Sequence, residues 1–149
     1  MGPTNRGFWK VFLSIGAGGI ALVVLVIAFR PVARTGAVAF AQQNLRSAVE
    51  AAERIADEAG SLEAATPSRL RRDSGLDRLL FIDADTSSND SEIVSVRATV
   101  AAWTGAARAD TGECFWVRVE AIGEPVFGTG TDCSAEEASE AEPAGWPEP

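Results

Sequence analysis

The chain contains no histidine and no tyrosine, a single lysine, Lys10, and only two cysteines among its 149 residues. Without an imidazole there is no Ser-His-Asp or Cys-His nucleophile system and no His-ligated metal, and without tyrosine there is no phenol acid. The length allows one compact domain with appendages, since domains usually run to about 100 to 150 residues. No large multi-domain enzyme fits. Acidic residues outnumber basic ones by 21 to 13, for a net charge of -8, and no Asp or Glu precedes Glu50. Phosphate binding requires clustered positive charge, so this balance argues against a nucleic-acid partner. No small-molecule substrate or reaction chemistry is evident either, and the informative features concern where the chain sits and how it is built.

What is present begins with a long apolar run. Nineteen residues, 11–29 (VFLSIGAGGIALVVLVIAF), carry no charge. At about 1.5 Å rise per residue they span roughly 28 Å as a helix, the thickness of a bilayer's hydrocarbon core. The run therefore predicts a transmembrane helix over 11–29. A cleaved signal peptide has a shorter apolar stretch, about 7 to 15 residues, and ends in a small-residue site. This run ends in Ala28-Phe29-Arg30-Pro31, a poor cleavage site, so retention is expected.

Arg6 and Lys10 before the run and Arg30 and Arg34 after it leave the positive-inside count nearly tied. The cysteines break the tie. Cys114 and Cys133 form an even pair in a small acidic region, and such pairs persist as disulfides only in an oxidising compartment. Residues 1–10 are then a cytoplasmic head of a single-pass cell-membrane protein, and its C-terminal head is extracytoplasmic. Gly16, Gly18 and Gly19 could let another helix approach closely in lipid, although glycine is common in membrane helices for simpler reasons.

Pro31 ends or kinks the first helix. A second, amphipathic helix is expected within 30–60, where Val38, Ala41, Leu45, Ala48, Val49, Ala52, Ile55, Ala56 and Ala59 recur at three- and four-residue steps. Gln42, Gln43, Arg46, Glu50, Glu53, Arg54, Asp57 and Glu58 fill the other face, and Gly60 stops the helix. Thr66-Pro67-Ser68 is a plausible start for a short helix. The cluster Arg69, Arg71 and Arg72 is offset by Asp73 and Asp77 and reads as a mixed-charge surface.

Residues 83–92 (DADTSSNDSE) are polar throughout and form a loop. Val94 to Ala102 alternate apolar with polar and predict a strand, followed by a turn from Ala106 to Gly112. Phe115 to Ala121 predict a second strand, and Val126 to Thr129 a third. The expected fold is α+β: an N-terminal transmembrane helix continuing or kinked into an amphipathic helix, packed on a small antiparallel β-sheet with one disulfide. Residues 61–133 make up the head, and the acidic tail 134–149, with Trp146 as its one aromatic ring, is expected to be disordered.

Cys114 and Cys133 enclose eighteen residues, and closing a loop of that size stabilises by about 3 kcal/mol on the loop-entropy model. Two thiols with no His and no C-x-x-C spacing do not suggest a metal site. Asp83, Asp85, Asn89, Asp90 and Glu92 could offer oxygens to calcium. An EF-type loop counted from Asp83, however, would need Gly at Ser88 and an acid at Val94, so a solvated loop is the favoured reading and no cofactor is expected.

The segments AQQNLRSAVEAAE at 41–53, TGECFWVRVE at 111–120 and FGTGTDCS at 127–134 resemble type IV pilin-like proteins, including the pseudopilins of secretion systems and their actinobacterial relatives. The resemblance covers most of 11–134. It implies a long N-terminal helix, half membrane and half amphipathic, whose second half packs on a small antiparallel sheet, with helices meeting in a filament core. Gly7-Phe8 looks like the family's processing junction. The chain departs from the pattern where the family places a Glu: the fifth residue from Phe8 is Phe12, and the apolar run holds no acid. The expected role is structural, in an envelope fibre or secretion-type complex, with the lipid bilayer and other envelope or pilin-like subunits as partners. An uncleaved, anchored interaction module is the alternative, and a membrane enzyme would need a pocket holding acids of perturbed pKa.

Overall fold

The computed structural model describes residues 8–147, with side chains described from Arg34 onward. By its contacts the chain divides into two units, Met1–Thr35 and Gly36–Pro149. The first helix, α1 (Phe8–Ala59), is continuous in its backbone, so Pro31 does not end it. Among the described residues no helix is long and apolar enough to cross a membrane. The run 11–29, on which the membrane reading rests, lies outside the described side chains.

In the second unit α1 behaves as its periodicity demands. Ala41, Leu45, Ala48, Ala52 and Ile55 are buried, and Gln43, Arg46, Glu50, Glu53 and Asp57 face water. Gln42 departs from expectation. It is 3% exposed, and its amide donates to the Pro147 carbonyl at 3.2 Å, a partner 105 residues away that periodicity cannot show. At Gly60 the backbone takes φ +79° and the Ser61 N–H returns to the Ala56 carbonyl at 3.1 Å, closing the helix.

A short 3-10 turn, Leu62–Ala64, leads to α2 (Pro67–Asp73). Thr66 caps α2 by accepting from Arg69 N–H at 3.3 Å, with Pro67 in the first turn, where a missing N–H costs nothing. The sheet follows as β1 (Leu80–Asp83), β2 (Ile93–Ala98), β3 (Ala102–Arg108), β4 (Cys114–Glu120) and β5 (Val126–Gly130), side by side in chain order. The last four form an antiparallel meander, where three antiparallel strands were expected.

Three expectations are corrected here. The sheet is mixed, because β1 lies parallel to β2 with Leu80 opposite Ile93. The long strand expected to run from Val94 to Ala102 is instead two strands joined by a tight hairpin. Thr99 makes that turn: its Oγ1 accepts from Ala102 N–H at 3.0 Å, and its own N–H donates to the Ala102 carbonyl at 2.9 Å. With no Gly, Asn or Pro in it, the turn left the sequence alternation unbroken. The turn expected from Ala106 begins only after Arg108, since Ala106 and Ala107 still pair with Trp116 and Phe115.

The two faces of the sheet carry different cores. Val94, Val96, Trp103, Ala107, Phe115 and Val117 pack with the buried stripe of α1. On the opposite face Ala106 and Trp116 meet Ala138 of a third helix, α3 (Ala135–Glu140). Each core tryptophan needs a glycine. A methyl on Gly105 would lie 2.7 Å from Trp103 Cη2, and one on Gly128 only 2.2 Å from Trp116 Cζ2. Gly128→Ala is therefore expected to cost about 1–3 kcal/mol by forcing Trp116 out of place. A urea titration followed by tryptophan fluorescence measures this, and an unchanged midpoint would mean that the indole slides aside freely.

Candidate functional site

Cys114 and Cys133 are bonded, with Cα atoms 5.2 Å apart. The bond ties the start of β4 to the chain just beyond β5. Cys133 has φ 58°, the one described non-glycine residue with positive φ. Around it the expected solvated loop is knotted into the fold. Ser88 is 1% exposed; its N–H donates to the Cys133 carbonyl at 2.9 Å, and its Oγ lies 2.8 and 2.7 Å from the carbonyls of Asp90 and Ile93. Arg108 completes the knot. Its guanidinium donates to the carbonyls of Ser88 at 3.1 Å, Gly112 at 2.9 Å and Thr131 at 3.2 Å, so one side chain joins three loops. Five donors in a rigid fork suit Arg to this task, and nothing in the local sequence around Arg108 announces it.

The tail is the largest departure from expectation. Residues read as disordered form α3, capped by Ser134, whose Oγ accepts from Glu137 N–H at 3.2 Å. Arg97 and Arg118 stand in one cross-strand row with Thr104 between them. Arg97 binds Ser139 Oγ at 3.0 Å and Glu136 at 2.7 Å, and Arg118 binds the Ser139 carbonyl at 3.0 Å. Both guanidinium groups are thus engaged in holding α3, with Glu136 and Glu120 beside them, which leaves a poor anion site.

Beyond α3 the chain lies along the free edge of β5, where the Phe127 carbonyl accepts from Ala144 and Gly145 N–H at 3.2 and 2.9 Å. Trp146 is then seated on the sheet. Its Nε1 donates to the carbonyls of Trp116 at 3.0 Å and Gly128 at 3.2 Å, its ring lies 4.5 Å from Phe127, and Arg46 of α1 sits 5.4 Å over it. An acidic, proline-rich composition predicts disorder only when nothing is waiting to receive the one large apolar side chain. The covered edge also removes a template for strand addition. Trp146→Ala is expected to cost about 1–2 kcal/mol and to open residues 141–147 to protease at concentrations that leave the native tail intact. Unchanged proteolysis would show that α3 alone holds the tail.

The remaining candidates divide. Asp90 accepts from Glu92 N–H at 2.8 Å, Glu92 pairs with Arg78 at 3.1 Å, Asp85 accepts from Thr86 Oγ1 at 3.3 Å, and the Asp83 carbonyl accepts from Ser95 Oγ at 3.2 Å. These groups turn toward separate partners, and among the described residues no three acidic or thiol groups are placed to hold a metal. Gly7, Phe8, Gly16, Gly18 and Gly19 lie outside the described side chains.

A recess of about 570 Å³ opens where the C-terminal end of α1 meets the tips of the β2–β3 and β4–β5 turns. Its floor includes Ala56, Leu62 and Val119, and Glu53, Asp57 and Glu120 line it. Ala121 N–H donates to the Ala101 carbonyl at 2.9 Å and fastens the two tips together. They carry Val100 and Ile122, which are 67% and 93% exposed. No sequence signal unites these residues, because they come from three distant stretches of chain. Comparison of the chain with protein-family models, with curated proteins and with solved structures returns no match.

Proposed function

We propose that the chain is a single-pass, membrane-anchored pilin-like protein with a structural or assembly role in an envelope fibre or secretion-type complex, and without catalysis. The observation that carries this reading is the pairing of a continuous N-terminal helix with a disulfide-closed sheet. The later half of this helix lays an alanine-rich stripe on a four-stranded antiparallel meander. Ahead of that stripe lie nineteen uncharged residues of bilayer-spanning length. Side chains as small as those of Ala41, Ala48 and Ala52 bring the helix axis close to the sheet, and most of the remaining surface of α1 in the head is polar.

A second reading rests on one observation, the lack of any acid in 11–29. It makes the chain an uncleaved, anchored extracytoplasmic interaction module. N-terminal sequencing of protein recovered from its native membrane separates the two. A chain beginning at Phe8 supports the assembly role, and an intact Met1 together with a defined co-purifying partner supports the module. Exclusion of a membrane-impermeant protease from the head in intact cells would overturn both.

A further inference from the structure

We propose that the recess at the C-terminal end of α1 docks a basic, apolar polypeptide segment of a different protein; the inference rests on the reading above that the head works by binding envelope partners. The apolar surface calls for a protein. Val100 and Ile122, at 67% and 93%, are the most exposed large apolar side chains among the described residues, and the bond from Ala121 N–H to the Ala101 carbonyl holds their two turn tips together at 2.9 Å. With the floor of Ala56, Leu62 and Val119 they make a fixed apolar surface rimmed by polar groups, which is what a protein partner covers.

Charge decides which partner fits. The carboxylates of Glu53, Asp57 and Glu120 line the recess and no basic side chain does. Glu120 has Arg118 Nε at 3.6 Å, whereas Glu53 and Asp57, one helical turn apart, have no ion pair among the described residues. They also stand near the carbonyl end of α1, whose last turn holds no basic residue, although a helix C-terminus is ordinarily matched by Lys or Arg. Like charges four apart at the negative pole of a helix weaken the isolated head and draw a cation to it.

That cation does not come from a second copy. Residues 36–149 hold 9 of the 13 basic residues and all 21 acidic ones, for a net charge of -12, so two heads repel each other. All nine arginines of the head have partners inside it, on backbone carbonyls, on carboxylates, on α3 or over Trp146. The other basic residues fall within 1–35, at least about 27 Å of helix before Glu53, and copies anchored in one membrane would present them at the wrong level. A segment of another protein, with Lys or Arg beside apolar residues, places its cations on Glu53 and Asp57 and its apolar groups on Val100 and Ile122.

The test uses the full chain in nanodiscs of uncharged phosphatidylcholine, with a photo-crosslinking residue in place of Ile122, and three short synthetic peptides: one of Lys and Leu, one with Glu for Lys, and one with Ser for Leu. The Lys-Leu peptide should give the only strong adduct. Its yield should fall roughly ten-fold in Glu53→Lys/Asp57→Lys, as close like charges bring, and that variant should now capture the Glu-Leu peptide. The same charge change at Asp85→Lys/Glu142→Lys, outside the recess, should leave the yield as it was. No adduct with the Lys-Leu peptide, an equal adduct with the Lys-Ser peptide, an undiminished yield after reversal at Glu53 and Asp57, or an equal fall in the Asp85/Glu142 control would each overturn the proposal. Glu53 and Asp57 face water, so the reversed chain should fold, and formation of its disulfide checks that. N-terminal sequencing and protease access do not involve this recess, so the docking site can fail while the reading it rests on stands.

Discussion

Replacing Cys114 and Cys133 together by alanine lowers the stability of the head by about 3 kcal/mol. The pair encloses eighteen residues, so its loss frees the unfolded chain to explore states the bond forbids. Alanine is chosen because both sulfurs are buried, at 3% and 1% exposure, and serine would strand hydroxyl groups there. In a urea titration the midpoint should fall. Reduction of the native protein should reproduce the shift. The bond also fixes Cys133 at φ 58° beside the Ser88 N–H, so residues 84–92 should gain hydrogen exchange as well. A loss below about 1 kcal/mol would mean that Arg108 and Ser88 hold this corner without the bond.

Trp103→Ala should cost about 3–5 kcal/mol. Trp103 is fully buried where the sheet meets α1, it fills the space over Gly105, and its Nε1 donates to the Ala65 carbonyl at 3.1 Å. The substitution removes a large packing group and a hydrogen bond at once. Trp103→Phe separates the two, since it keeps most of the apolar volume and strands the carbonyl, for a cost of about 1–2 kcal/mol. Equal losses for the two variants would show that the hydrogen bond matters more than the packing; equilibrium unfolding of both reads the difference.

The elements legible in the sequence are those whose signal is local. The stripe of α1 from Val38 to Ile55, its stop at Gly60 and the start of α2 at Thr66-Pro67 follow from side-chain period and capping chemistry. The strands around Phe115 and Val126 follow from alternation. The hairpin at Thr99 was hidden because Val94 to Ala102 alternate straight through it. Continued alternation would place Trp103 on the polar side, whereas the two-residue turn sends its ring into the core opposite Ala98. The recess was equally hidden, since Glu53, Leu62 and Glu120 become neighbours only when the turn tips meet the end of α1.

By itself the sequence determined the class, α+β with one disulfide, because period, turn residues and cysteine count act over short stretches of chain. Tertiary structure alone decided that β1 runs parallel to β2, that Ser88 and Arg108 knot a polar loop to the disulfide, and that Trp146 draws an acidic tail onto the sheet. The physical reason is common to all three: each depends on a partner carbonyl, ring or strand edge that exists only after residues far apart in the chain have been brought together.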